Sequence, residues 1–156
     1  QCKAIEIKPN YAEAHYNLGI IYIDLGKLKE AELSQLKAIK INPNFVEAHY
    51  NLGNIFRDCG KLKEAEFSYR KAIEIKSDFA EAHSNLGVIL KELGKLKEAE
   101  LCYKKALNID NKLDEAKAGI GTILLKTGKL KEGILKMREA YGSINFNYKN
   151  SNIMIN

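Results

Sequence analysis

The sequence predicts an all-α fold, an α-solenoid of stacked helical hairpins. Three observations predict it: blocks that return every 34 residues, apolar side chains at helical spacing within each block, and a glycine near the middle of each block. Self-similarity at a period of roughly 20–50 residues is typical of repeat architectures, in which neighbouring units bury a continuous core between them.

Two motifs define the repeat. The motif Glu-Ala-His-Tyr-Asn-Leu-Gly begins at Glu13 and Glu47, and it returns at Glu81 with Ser in place of Tyr. The motif Gly-Lys-Leu-Lys-Glu-Ala-Glu begins at Gly26, Gly60 and Gly94, and a weaker copy begins at Gly128. Positions within a repeat are counted here from Ala12, Val46, Ala80 and Asp114.

Within one repeat the apolar spacing is helical. Leu52, Ile55 and Phe56 follow the i, i+3, i+4 pattern of a buried helix face. Gly60 stands where the first helix must end, because glycine adopts the left-handed conformation of that position at the lowest cost. Each repeat is therefore predicted to be a helix, a tight turn, a second helix and a short loop.

The sequence also predicts how the first helices begin. An Asn or Asp followed by Glu three residues later is typical of a capping box with an Asx cap. Three such pairs precede first helices: Asn10 with Glu13, Asn44 with Glu47, and Asp78 with Glu81.

The period divides the chain into six segments. Residues 12–45, 46–79 and 80–113 are three repeats, and residues 114–141 are a degenerate fourth repeat. Residues 1–11 are expected to be the second half of a preceding, truncated repeat. Residues 142–156 form a tail that reads as a short strand, the start of another domain or a disordered end.

These residues resemble the tetratricopeptide repeat family, whose 34-residue hairpins carry small residues at positions 8, 20 and 27. The second repeat has Gly53, Ala65 and Ala72 at those positions. The resemblance implies a right-handed superhelix whose concave groove holds an extended peptide or a partner's helix. Position 4, usually Trp in the family, is His in the first three repeats: His15, His49 and His83.

These histidines are interpreted as packing groups. Neighbouring helices lie about 8–10 Å apart, whereas the nitrogen ligands of a zinc ion lie about 2 Å from it. The sequence carries no recognisable catalytic motif such as GxSxG, HExxH or a P-loop. We therefore expect no enzyme activity in this chain, no catalytic residue, no metal site and no cofactor.

The candidate binding residues lie around position 6. Asn17, Asn51 and Asn85 occupy it, a ladder that resembles O-linked N-acetylglucosamine transferase-type arrays and implies contacts with a peptide backbone. An amide offers donors and an acceptor, which match a peptide unit regardless of its side chain. Alternatively, Asn is simply common at this position and faces solvent. Neighbouring residues at positions 5, 9 and 12 complete the predicted groove: Tyr16, Tyr50, Asn54, Arg57 and Lys91.

The sequence thus favours a scaffold with a protein or peptide ligand. The alternative is a substrate-recruiting arm of a larger modifying enzyme, transferase-like, whose catalytic domain lies outside this chain. Weak self-association through the terminal repeats is a third expectation.

Charge and composition argue against other partners. Residues 1–110 hold 17 basic and 16 acidic side chains, so no basic face for nucleic acid is predicted. No apolar run approaches the roughly 20 residues of a membrane span. The three cysteines, Cys2, Cys59 and Cys102, lack CxxC spacing, which favours reduced thiols and a cytoplasmic location.

Overall fold

The structure, a computed structural model, describes residues 11–142 and the backbone of residues 144–147 and 152–155. The half-repeat predicted for residues 1–11 lies, apart from Tyr11, outside the described residues. The contacts divide the chain into an N-terminal unit, residues 1–78, and a C-terminal unit, residues 79–156.

The described part of the N-terminal unit, residues 11–78, contains two helical hairpins. Their four helices are α1 (Ala12–Asp24), α2 (Leu28–Ile41), α3 (Val46–Asp58) and α4 (Leu62–Ile75). The helices of each hairpin, α1 with α2 and α3 with α4, pack along each other, and α2 also packs against α3. Consecutive hairpins of this unit therefore share one core.

The C-terminal unit contains two further hairpins and a pair of strands. Its helices are α5 (Ala80–Glu92), α6 (Leu96–Ile109), α7 (Asp114–Lys126) and α8 (Leu130–Tyr141). The strands β1 (Ile144–Asn147) and β2 (Asn152–Ile155) pair antiparallel, with Ile144 opposite Ile155. Helix α7 packs against both α5 and α6, and β1 contacts α8. The predicted α-solenoid of helical hairpins is confirmed for the repeats.

Alanine and glycine at the predicted small positions let the two helices of a hairpin approach closely. In α4, Ala65 and Ala72 have no exposed surface. A Cβ atom on Gly53 of α3 would lie 2.7 Å from ring atoms of Tyr69, closer than real Cβ contacts. The Tyr69 ring therefore fills the space that the absent side chain of Gly53 leaves, and the ring is fully buried.

The turn between the two helices of a repeat is a Schellman motif. Gly60 has φ of 71°, the left-handed region that glycine enters at no steric cost. The Lys61 N–H donates to the Phe56 carbonyl at 2.8 Å, and the Gly60 N–H donates to the Arg57 carbonyl at 2.9 Å. These two bonds satisfy carbonyls at the end of α3, and the predicted helix end at Gly60 is confirmed.

The capping boxes predicted at Asn44 and Asp78 are wrong, and the cap predicted at Asn10 lies outside the described residues. Helix α3 begins after Phe45 and α5 begins after Phe79, and neither N-cap residue makes a side-chain capping bond. Tyr11 likewise precedes α1 without a capping bond. Asn44 and Asp78 each lie one residue before the N-cap, too early to cap the helix. In the loop before α3, the Asn44 N–H instead binds the Asn42 Oδ1 at 3.1 Å, an Asx turn that holds the loop.

Candidate peptide-binding surface

The eight candidate residues lie on the first helices of the hairpins. Six of them belong to the N-terminal unit, and together they are called the Tyr–Asn surface: Tyr16, Asn17, Tyr50, Asn51, Asn54 and Arg57. Asn85 and Lys91 lie on α5 of the C-terminal unit. All eight side chains are half-buried, so each presents part of its surface to a ligand while its base is held by the protein.

Tyr16 and Asn51 join consecutive repeats. Their side chains are hydrogen-bonded to each other, and the Tyr16 ring lies 4.8 Å from the Phe45 ring between centroids. Burial raises the pKa of Tyr16, and the negative charge of Glu47 raises it further. The Tyr16 hydroxyl therefore stays protonated in neutral solution. The structure thus brings together two of the residues that the sequence proposed.

The backbone of Tyr16 is held from below by Gln35. This side chain is fully buried at position 24 of the first repeat, where the second and third repeats have Tyr69 and Tyr103. Its Nε2 donates to the Tyr16 carbonyl at 3.2 Å. Sequence reasoning missed Gln35, although a polar residue at a position that is otherwise tyrosine was the available signal.

Asn54 binds Tyr69. The Tyr69 hydroxyl donates to the Asn54 Oδ1 at 2.7 Å, and the Tyr50 ring lies 5.9 Å from the Tyr69 ring between centroids. The Tyr69 ring packs against Gly53. The Tyr69 hydroxyl also makes the Asn54 oxygen its acceptor, so the Asn54 NH₂ group takes no part in this hydrogen bond.

Arg57 is paired with its neighbour Asp58. The Arg57 Nε donates to the Asp58 Oδ1 at 3.0 Å, and both side chains are more than a third exposed. An exposed ion pair of this kind contributes little to stability. The pairing partly offsets the positive charge that the sequence predicted here, so Arg57 supplies hydrogen-bond donors more than a strong positive field.

Asn17 differs from the other amides of the Tyr–Asn surface. It makes no hydrogen bond to another described residue, whereas Asn51 and Asn54 each have a tyrosine partner. Among the described residues, none therefore uses the amide donors and acceptor of Asn17.

The C-terminal unit has a different first-helix surface. The positions of Tyr50 and Asn54 are taken by Ser84, which is buried, and Val88. The Tyr103 hydroxyl has no hydrogen-bond partner among the described residues, and burial raises the pKa of Tyr103. The tyrosine–amide bond seen between Tyr69 and Asn54 has no counterpart at Val88, because valine has no polar group.

The ladder also stops at Gly119 for a physical reason. This residue occupies position 6 of the fourth repeat, and a Cβ atom on it would lie 2.3 Å from the Tyr103 ring. An asparagine would therefore clash with Tyr103 unless the ring moved. This packing explains why asparagine stands at position 6 in the first three repeats and not in the fourth.

The histidines of the repeats are packing groups. His15 and His83 are 6% and 5% exposed, and the His49 Nε2 lies 2.9 Å from the Pro43 carbonyl oxygen, which ties α3 to the loop before it. Within the part of the chain that the structure describes, no three His, Cys, Asp or Glu side chains are placed to hold a metal ion. No helix among the described residues is long and apolar enough to cross a bilayer.

Comparison with known families identifies the repeat. A model described as TPR repeat matches residues 3–26, 19–56 and 53–94, and one described as tetratricopeptide repeat matches residues 80–113. No curated protein sequence matches the chain.

Solved structures share the fold. The crystal structure of MamA aligns with a TM-score of 0.83 at 25% identity, over 88% of this chain and 81% of that chain. YrrB, a TPR protein with an unusual peptide-binding site, aligns with a TM-score of 0.80 at 24% identity, over 89% and 73%. A MamA fragment from Desulfovibrio magneticus aligns with a TM-score of 0.80 at 21% identity, over 88% and 77%. The chain belongs to the tetratricopeptide repeat family.

Proposed function

We propose that this protein is a protein-interaction scaffold whose Tyr–Asn surface binds an extended peptide through the peptide's backbone. One observation carries the proposal. Side chains of Tyr16 and Asn51, from consecutive repeats, are hydrogen-bonded to each other. The Asn51 amide is thus held in place before a ligand arrives, which lowers the entropy lost on binding.

The chemistry of these amides suits a peptide backbone. One hydrogen bond to Tyr16 uses only part of the capacity of Asn51, since an amide has two N–H donors and an oxygen with two lone pairs. Asn17 and Asn51 together offer a peptide unit both a donor and an acceptor. The family resemblance and the YrrB structure, a TPR protein with a peptide-binding site, support this use of the surface.

Asn85 and Lys91 remain proposed contributors in the C-terminal unit. Lys91 is half-buried at position 12, the position of Arg57 in the second repeat. The same contacts serve a free-standing scaffold and the recruiting arm of a larger enzyme, so the test below addresses binding alone.

The test uses a peptide selected from a random 12-residue display library on the whole chain. Its dissociation constant is measured by fluorescence anisotropy against the wild type and the double variant Asn17→Ala with Asn51→Ala. Two neutral hydrogen bonds at about 0.5–1.5 kcal/mol each predict a loss of roughly 5- to 150-fold. Asn108→Ala, an exposed asparagine on α6, is the matched control and should bind as the wild type does.

Two further series of peptides test recognition of the backbone. Replacing peptide side chains one at a time with alanine should change affinity less than N-methylation of the backbone amides, which removes the donors. Two results would show that the Tyr–Asn surface does not hold the peptide backbone. One is unchanged affinity of the double variant, and the other is unchanged affinity of the peptide after N-methylation at every position.

A further inference from the structure

A second surface of the N-terminal unit shares no residue with the Tyr–Asn surface. It is an apolar groove of about 390 Å³ between the second helices α2 and α4, with α3 beneath it. Leu36 and Ile39 of α2 form one side, Phe67 of α4 forms the other, and Leu52 and Phe56 of α3 form the base. These five residues define the α2–α4 groove.

Large apolar side chains remain exposed at this groove. Phe67 is 63% exposed and Leu36 is 42% exposed, and Leu33, one turn before Leu36 on α2, is 61% exposed. Single exposed apolar residues are ordinary on a protein surface, whereas a contiguous apolar patch with polar edges is typical of an interaction site. Phe67 and Leu36 belong to one such patch because both line the same cavity.

An ion pair lies beside the groove. The Lys61 Nζ lies 3.0 Å from the Glu32 Oε2, which joins the start of α4 to α2. The same ammonium group lies 5.2 Å from the centroid of the Phe56 ring at the groove base. Lys61 and Glu32 offset each other's charge, so they contribute little to the net charge that a ligand meets.

With that pair set aside, one lysine and one glutamate line the groove, and a second lysine lies next to it. Lys63 lines the groove, and Lys40 lies one helical turn beyond Leu36, on the same face of α2. Neither lysine forms an ion pair with a described residue. Glu64 is the one carboxylate among the lining residues. Two cations against one anion favour a ligand with acidic side chains beside its apolar ones.

We propose that the α2–α4 groove docks an amphipathic helix of a partner protein. The helix places a bulky apolar side chain between Phe67 and Leu36, and its acidic side chains face Lys40 and Lys63. A groove between two helices accepts the apolar face of a third helix through residues spaced i, i+3, i+4 and i+7. Apolar contact supplies the affinity, and the lysines select acidic flanks.

Three fluorescein-labelled helical 16-residue peptides test the proposal by anisotropy. The first carries Leu at i, i+3, i+4 and i+7 with Glu at the flanking positions, the second carries the same leucines with Lys flanks, and the third carries Ala for Leu with Glu flanks. The Leu–Glu peptide should bind at least tenfold more tightly than either of the other two. The double variant Lys40→Glu with Lys63→Glu should reverse the preference between Glu and Lys flanks.

Substitution of Phe67 locates the binding. Phe67→Ser should weaken the Leu–Glu peptide at least tenfold, while circular dichroism and melting stay near wild type because the ring is mostly exposed. Leu101→Ser is the matched control: it has the same repeat position on α6 and is 56% exposed. Its affinity should stay within twofold of wild type, as should that of Asn17→Ala with Asn51→Ala, which alters only the Tyr–Asn surface.

Four results would overturn the proposal. The first is that the Leu–Glu peptide shows no saturable binding up to about 1 mM, and the second is that Phe67→Ser and Leu101→Ser lose equal affinity for it. The third is equal affinity for the Glu- and Lys-flanked peptides, and the fourth is loss of binding in the Asn17 and Asn51 double variant. Sedimentation velocity tests the other occupant. Dimers of the wild type that Phe67→Ser abolishes would mean that the groove holds a second copy of the chain instead.

Discussion

Tyr69 and Tyr103 occupy the same position of consecutive repeats, yet their hydroxyl groups have different surroundings. Both rings are fully buried and fill the space beside a glycine of the first helix. The Tyr69 hydroxyl binds Asn54, whereas the Tyr103 hydroxyl has no hydrogen-bond partner among the described residues. A buried polar group without a partner is unfavourable, because it gives up its bond to water on folding.

Removing each hydroxyl should therefore have different effects. Tyr69→Phe should lower the free energy of unfolding by about 0.5–1.5 kcal/mol, the usual net contribution of a hydrogen bond. Tyr103→Phe should leave it unchanged or raise it, because no bond is lost. Urea unfolding followed by circular dichroism measures both variants under the same conditions. A larger loss for Tyr103→Phe than for Tyr69→Phe contradicts this account of the two sites.

The same burial makes Tyr103 sensitive to alkaline pH. Burial raises its pKa in the folded chain above the ordinary value of about 10 that it has when unfolded. Above pH 10 the unfolded chain releases a proton that the folded chain retains, so the free energy of unfolding falls as pH rises. Below that pH both states keep the proton, and Tyr103 adds no pH dependence.

Tyr103→Phe should therefore remove part of the alkaline loss of stability. One pH unit above the unfolded pKa, the variant should retain about 1 kcal/mol more of its neutral-pH stability than the wild type does. Urea titrations at pH 8 and pH 11 measure the difference for both proteins. Parallel losses in the wild type and the variant would show that Tyr103 ionises as readily in the folded chain.

At the scale of the element, each hairpin depends on its glycine turn. The Gly60 turn has φ of 71°, and a Cβ atom on this residue would meet nothing within 4 Å. Substitution there thus acts through backbone conformation alone. Gly53 is the opposite case, since its Cβ atom would clash with the Tyr69 ring in an ordinary helical conformation.

The two glycines should respond differently to substitution. Gly60→Ala should cost about 1–2 kcal/mol, the price of a left-handed residue with a Cβ atom, and Gly60→Asn should cost less because Asn tolerates this region. Gly53→Ala should cost about 1–3 kcal/mol through overpacking against Tyr69. Combining Gly53→Ala with Tyr69→Leu should recover part of that loss. Thermal melts measure the order, and equal costs for Gly60→Ala and Gly60→Asn would contradict it.

The helices could be predicted from sequence where spacing alone determines the structure. The apolar period and Gly60 identified the ends and faces of α3 and α4, because burial and left-handed φ leave few residue types acceptable. The caps could not be predicted from the pair Asn44 and Glu47, since the loop is held by Asn42 and the N-cap residue of α3 is Phe45, one residue after the expected cap. A capping motif involves only a few neighbouring residues. An Asx turn beside it uses the same residue types, so the sequence does not distinguish the two.

At the scale of the whole molecule, the period predicted a repeat protein but not the difference between its two units. Position 9 carries Asn54 in the second repeat and Val88 in the third, and position 5 carries Tyr50 and Ser84. The effect of each difference on the surface depends on which aromatic ring packs beneath the position. The contact between Tyr69 and Asn54 joins residues 15 apart in sequence. The α2–α4 groove likewise forms only when two helices lie side by side, so no continuous segment of the sequence predicts it.

Side-chain amide NMR can show whether the Tyr–Asn surface holds a peptide backbone. The ¹⁵N-labelled chain is titrated with the library-selected peptide, and the NH₂ resonances of Asn17, Asn51 and Asn54 are followed with Asn108 as the internal control. We expect the NH₂ resonances of Asn17 and Asn51 to shift saturably with one dissociation constant and the resonance of Asn108 not to shift. Saturable binding that leaves Asn17 and Asn51 unshifted would contradict this expectation.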